Sequence, residues 1–255
     1  MTVKPGPVIL LGSGETSPNI RKVYEELFLD YKSPVGVAIL ETPAGFQPNS
    51  AEVARQIGRY MEKHLQNHDP AISIIPARKR GTSHSPDDPT MLEPLYGADF
   101  LFVGPGSPTY AARQLRESVA WQTLQACHRL GSALIFASAT TIASSRFALP
   151  VYEIYKVGED LHWQEGLDFF APFGLNLIFV PHWNNNDGGK VLDTSHCYVG
   201  TKRYAKMIAL LPDDEPVERT IVGIDENTAL VFEPADGICS IQGVGGVTLI
   251  RQEEE

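Results

Sequence analysis

Ala133-Leu-Ile-Phe-Ala-Ser-Ala-Thr-Thr-Ile142 decides how this chain is read, because an apolar run passes into a cluster of small residues and then into helical spacing. A buried strand that meets a tight small-residue turn and then a helix has the layout of a nucleophile elbow. In such an elbow the nucleophile sits on a strained turn, and the residues two before and two after it must be small so that strand and helix can close on each other. Centring the turn on Ser138 puts Phe136 and Thr140 at those places, whereas centring it on residue 139 puts Ala137 and Thr141 there. The second register is the better steric fit, but it places Ala139 at the tip. Sterics therefore predict an elbow without a hydroxyl, with Ser138 as the alternative nucleophile and its ordinary role a cap on the following helix. Thr140 and Thr141 read as capping residues too, since threonine nucleophiles rely on a nearby amine base and none is in view.

Outward from the elbow, short apolar runs alternate with helical patterns, the signature of parallel strands joined by crossover helices. Strands are predicted at residues 8–11, 35–40, 71–75 and 100–103, with the elbow strand fifth. Helical spacing covers residues 20–29, and Val53, Ile57, Tyr60, Met61 and Leu65 recur on one face of a longer helix. The first strand ends in Gly12-Ser-Gly-Glu15 and the fourth in Gly104-Pro-Gly-Ser-Pro108, two turns that bring backbone close to the carboxyl edge of the sheet. Beyond the elbow, a strand at residues 176–180 ends at Pro181-His-Trp183, and a helix follows at residues 202–211. The runs at 220–224, 229–232, 238–242 and 247–250 read as consecutive strands of an antiparallel extension at a sheet edge. The predicted fold class is α/β, a three-layer, doubly wound, mainly parallel sheet with flanking helices, in a single domain over residues 1–255.

With 255 residues and 43% apolar composition the chain can bury one large core, and its net charge of -10 disfavours nucleic acid and anionic membranes as partners. No apolar run reaches the roughly 20 residues of a membrane helix and residues 1–7 lack the apolar stretch of a signal peptide, so a cytoplasmic protein is expected. Cys127, Cys197 and Cys239 are odd in number and show no Cys-x-x-Cys spacing, which argues against a disulfide framework and a structural zinc site.

In order along the chain, Gly12-Ser-Gly-Glu15, Phe102-Val-Gly-Pro-Gly106, the elbow, Pro181-His182 and Gly223-Ile-Asp-Glu-Asn-Thr-Ala-Leu230 resemble the motifs of the cyanophycinase and α-aspartyl dipeptidase family of serine peptidases, which has the class I glutamine amidotransferase-like, flavodoxin-like fold. A closer resemblance is to an amidotransferase-like bacterial branch with Pro-Val-Tyr-Glu-Ile-Tyr-Lys-Val-Gly, here residues 150–158, to which no reaction is attached. An ungapped match to the family's Gly-x-Ser-Ala-Gly-Ala elbow sets Ala139 at the nucleophile position. The resemblance implies His182 as base and Glu226 as orienting acid, the latter as in the cyanophycinase branch. In the dipeptidase branch the acid precedes a Met-Pro, and the nearest match, Ala148 before Leu149-Pro150, is not acidic.

His182 follows a strand end and a proline, which places it at the carboxyl edge where open α/β sheets bind ligands. A carboxylate such as Glu226 accepting one imidazole N–H fixes the tautomer and leaves the other nitrogen free as a base. For the oxyanion hole the resemblance implies backbone N–H groups of the Gly-rich turn, and Pro105 supplies none, which leaves Gly104 and Gly106. Gly12, Glu15, Trp183 and Asn184 complete the expected ligand-binding set, the asparagines of the 184–186 run supplying donors and acceptors. His182, Asp187, Asp193, His196 and Cys197 share one loop, but their spacing matches no compact metal motif, so neither a metal nor another cofactor is expected. A glutamine amidotransferase would need an elbow cysteine, and the elbow has none.

Two functions compete at this level. The first is a hydrolase framework with a degenerate nucleophile, binding a small molecule or peptide around His182 and Glu226 without a covalent intermediate. The second is an active hydrolase that cleaves a peptide or amide through Ser138, or through water activated by His182. A homodimer is expected from the exposed antiparallel edge strands.

Overall fold

Each parallel strand of this protein is apolar at nearly every position, as a sheet covered on both faces requires. The computed structural model describes residues 4–212 and 218–251. In its first part β1 (Val8–Leu11), α1 (Pro18–Phe28), β2 (Gly36–Leu40), α2 (Ser50–His64), β3 (Ala71–Ile75), β4 (Phe100–Val103), α3 (Pro108–Leu115), α4 (Val119–Arg129), β5 (Ala133–Ala137) and α5 (Ala139–Ala143) follow one another. After them come β6 (Phe147–Ala148), β7 (Gln164–Glu165), β8 (Asn176–Val180), α6 (Thr201–Ile208), β9 (Arg219–Ile224), β10 (Thr228–Glu233), β11 (Ile238–Gly243) and β12 (Val247–Arg251).

The main sheet has seven strands in the order β11-β10-β1-β5-β4-β2-β3. From β1 to β3 every pairing is parallel, and β10 and β11 extend the sheet antiparallel beyond β1. Alternation along the strands sorts the core into two layers. Ile9, Ile39, Phe102 and Ile135 meet the apolar faces of α1 and α2, whereas Leu10, Leu40, Leu101 and Phe136 meet α4 and the aromatic cluster of Phe169 and Phe170. Three layers result, as predicted.

The C-terminal strands depart from the expected single extension. Only β10 and β11 join the main sheet, while β9 pairs parallel with β8 and antiparallel with β12 in a separate three-stranded sheet. The reason is packing on two sides. Phe179, Val222 and Ile224 of this small sheet face the main core, and Ile178, Val180 and Ile221 face a third core built with Tyr204 and Met207 of α6. This arrangement brings the ends of β8 and β9 beside those of β1 and β5. No helix among the described residues is long and apolar enough to cross a membrane.

Candidate active site

β5 ends at Ala137 and α5 begins at Ala139, so one residue, Ser138, makes the whole connection. Its backbone lies at φ 50° and ψ -98°, a conformation that side chains other than glycine rarely adopt and that costs on the order of 1–3 kcal/mol. This corrects the steric expectation: Ser138 is the elbow tip, and Ala139 is the first residue of the helix. Phe136 does not obstruct the turn, because it points to the opposite face of the sheet and packs on Trp121 and Phe169. Thr140 fits because its polar atom is absorbed by the turn, donating to the Gly104 carbonyl at 2.8 Å and accepting the Ala137 amide at 3.3 Å. The Thr141 hydroxyl lies 2.9 Å from the Leu11 carbonyl, and the Ser138 amide donates to that carbonyl at 3.2 Å. The elbow is thereby tied to the ends of β1 and β4. Both threonines are buried, and their hydroxyls bind strand-end groups in place of the expected cap on α5.

The Ser138 hydroxyl lies 2.9 Å from His182 Nε2, and His182 Nδ1 lies 2.8 Å from Glu226 Oε1. With Glu226 accepting the Nδ1 proton, Nε2 carries the lone pair that faces the hydroxyl. Glu226 also accepts from Asn185 Nδ2 at 2.8 Å, and these bonds, the one from His182 first, hold its carboxyl below the usual glutamate range against the opposing effect of burial. His182 sits just past β8 with φ 51°, and its main chain is clamped: its amide donates to the Gly12 carbonyl at 3.2 Å and its carbonyl accepts the Cys197 amide at 3.2 Å. His196, Cys197 and Tyr198 all have positive φ, so the clamp is a left-handed turn, rare for consecutive residues with side chains.

The remaining predicted residues divide. Gly106 lines the cleft beside Ser138, and it must be glycine because a Cβ there would lie 2.0 Å from the Pro43 carbonyl. Gly104 lies behind the elbow, next to Phe102 and Ile57, and contributes its carbonyl to Thr140. Of the two glycines expected to supply oxyanion donors, Gly106 lines the cleft and Gly104 does not, and Ala139, whose amide opens α5, lines it as well. Neither the Gly106 nor the Ala139 amide makes a backbone hydrogen bond among the described residues. Gly12 serves the scaffold, since a Cβ there would lie 2.0 Å from the Asp225 carbonyl. Glu15 is likewise remote from the cleft and accepts the Tyr24 hydroxyl through its carbonyl. Trp183 turns away from the cleft to cover Gly223 and pack on His196 and Tyr204, and Asn184 accepts the Glu226 amide at 2.9 Å. Neither of them lines the cleft. The other loop groups are committed to structure as well: Asp193 accepts the Thr201 amide at the start of α6, and Asp187 accepts the Tyr198 hydroxyl at 2.8 Å.

The cleft over Ser138 has a volume of about 390 Å³. Sequence reasoning does not place Tyr152, Tyr155, Lys156 and Tyr198 on its walls, although the first three belong to the 150–158 motif that sets the bacterial branch apart. Asn185 looks like its neighbours in the sequence, and its burial against Glu226 distinguishes it from Asn184 and Asn186. Cys197 also lines the cleft, but burial pushes its thiol up to about 12, so it stays protonated and does not compete as a nucleophile.

No protein-family model and no curated protein matches the chain significantly. Two solved structures share its fold. The crystal structure of a peptidase from an acI-B1 Actinobacterium superposes with a TM-score of 0.74 at 23% identity, over 99% of this chain and 95% of the other. A putative peptidase E protein from Listeria monocytogenes EGD-e superposes with a TM-score of 0.57 at 14% identity, over 98% of this chain and 100% of the other. At these identities the likeness establishes the mainly parallel α/β fold.

Proposed function

We propose that this protein is a serine hydrolase of the cyanophycinase and α-aspartyl dipeptidase type, cleaving a peptide or amide bond with Ser138 as nucleophile, His182 as base and Glu226 as orienting acid. The observation that carries this reading is the unbroken line Ser138 Oγ, His182 Nε2, His182 Nδ1, Glu226 Oε1, with contacts of 2.9 and 2.8 Å. A capping serine has no use for a positive φ that lifts its hydroxyl toward an imidazole, whereas a nucleophile does.

Chemically, Ser138 Oγ attacks the scissile carbonyl carbon while its proton passes to His182 Nε2. Glu226, partly buried beside the ring, stabilises the imidazolium that forms. The Ala139 and Gly106 amides supply donors for the oxyanion, the absence of an N–H on Pro105 notwithstanding. Collapse breaks the C–N bond, the proton moves from His182 to the leaving amine, and the acyl group remains on Ser138. Water then attacks in the same way and releases the acid. The degenerate-nucleophile reading depends on Ala139 at the tip, and no geometry favours it. A fluorophosphonate probe tests the proposal directly: wild type becomes labelled at Ser138, and labelling that persists unchanged in Ser138→Ala overturns it.

A further inference from the structure

Taking Ser138 as the nucleophile, we propose that the substrate group seated in the cleft beside the scissile bond is aromatic or large and apolar. The wall nearest the base is a run of rings. Tyr198 lies 5.8 Å from the His182 ring, and Tyr155 lies 5.4 Å from Tyr198, both in tilted contact. The Tyr198 hydroxyl is already engaged by Asp187, so the ring presents its face and not its polar tip. Ile142 and Val151, buried side chains of the third core against which Tyr152 and Tyr198 pack, also reach the cleft. Burial raises the Tyr152 and Tyr198 phenols, which keeps the wall uncharged through neutral pH.

Charge around the cleft argues the same way. Among the described residues that line it, Lys156 alone carries a formal charge, and its ammonium lies 4.8 Å from the centre of the Tyr152 ring. That cation is exposed, so its pull on a substrate carboxylate is screened by water. A planar side chain, by contrast, gains offset or edge contacts with several rings at once. The cleft volume of about 390 Å³ has room for one such side chain.

Aminomethylcoumarin amides of phenylalanine, leucine, alanine and aspartate, each with a free and an acetylated amine, provide the test. We expect kcat/KM for the phenylalanine compound to exceed that for alanine by roughly 30-fold or more, and that for aspartate by more still. Tyr155→Ala, at a half-exposed ring, should lower the phenylalanine value about tenfold further than the alanine value. Equal rates for phenylalanine and alanine, or a preference for aspartate, would overturn the assignment while fluorophosphonate labelling left Ser138 standing as nucleophile. Should labelling fail, thermal shift of Ser138→Ala decides the slot alone: N-acetylphenylalaninamide must raise its midpoint more than N-acetylaspartamide, and the reverse order ends the proposal.

Discussion

Two histidines lie beside opposite ends of β1, and their surroundings differ as a candidate site differs from a packed core. His182, past the carboxyl end of β8, has positive φ and a hydrogen-bond partner on each ring nitrogen. His128, near the end of α4, has its carbonyl bound by the Gly6 amide just ahead of β1, and its ring packs on Phe169 at 5.5 Å and Phe173 at 6.3 Å. It is 1% exposed, and burial drives its imidazole down to about 4. At the amino edge, then, a titratable ring is used as an aromatic packing piece. At the carboxyl edge strained backbone and open polar atoms are maintained, and the cost is borne by the packed layers beneath them.

The contrast can be broken first at the nucleophile. Ser138→Ala should lower amidase activity by about 10⁴-fold or more while leaving the melting temperature unchanged or raised, since alanine keeps the turn and removes only the hydroxyl. Turnover and thermal melting of the same preparation check this, and a large loss of stability with intact activity would place the residue among the structural ones. Next in size, Glu226→Gln preserves shape but removes the charge that stabilises the imidazolium. A loss of roughly 10³-fold in kcat with little change in KM is expected, and an effect on KM alone would show that Glu226 binds substrate instead.

At the other edge the expected effect is on folding. Above pH 6.5 His128 is neutral in folded and unfolded chains and contributes no pH dependence. Between about 6.5 and about 4 the unfolded chain takes up a proton that the folded one does not, so stability falls with falling pH and levels off below the folded value. The shift corresponds to on the order of 3 kcal/mol, and urea titrations at pH 7 and pH 4 should show that difference shrink in His128→Leu. Identical pH dependence in the two proteins would mean that the ring is not held neutral. The smallest effect belongs to Asn185→Ala, which removes one of the two side-chain donors to Glu226 and should lower kcat about tenfold. Rescue by Asn185→Gln is not expected, because the longer side chain does not fit the buried site. A change of less than twofold in the alanine variant would leave His182 as the acid's sole effective partner.

Much of this is legible in the chain because the physics involved is local. Period and apolar content place β1, β3, β4 and β8 to the residue, and the motifs Pro181-His182 and Gly223-Ile-Asp-Glu226 mark the candidate base and acid. The elbow register is not legible. The rule that flanking residues be small assumes that they face the turn, and whether Phe136 does so depends on which face of a three-layer sheet it points to. Likewise, four short terminal strands have the same periodicity in one sheet or two, and packing against α6 on one side and the main core on the other divides them. The sequence by itself determined most of the longer strands and which residue types are candidates for the site, since those follow from near-neighbour sterics and hydrophobic spacing. Tertiary structure alone decided that Ser138 and not Ala139 meets His182, that Asn185 joins Glu226, and that tyrosines from two distant segments wall the cleft, because each depends on groups far apart in the chain being brought within a few ångströms.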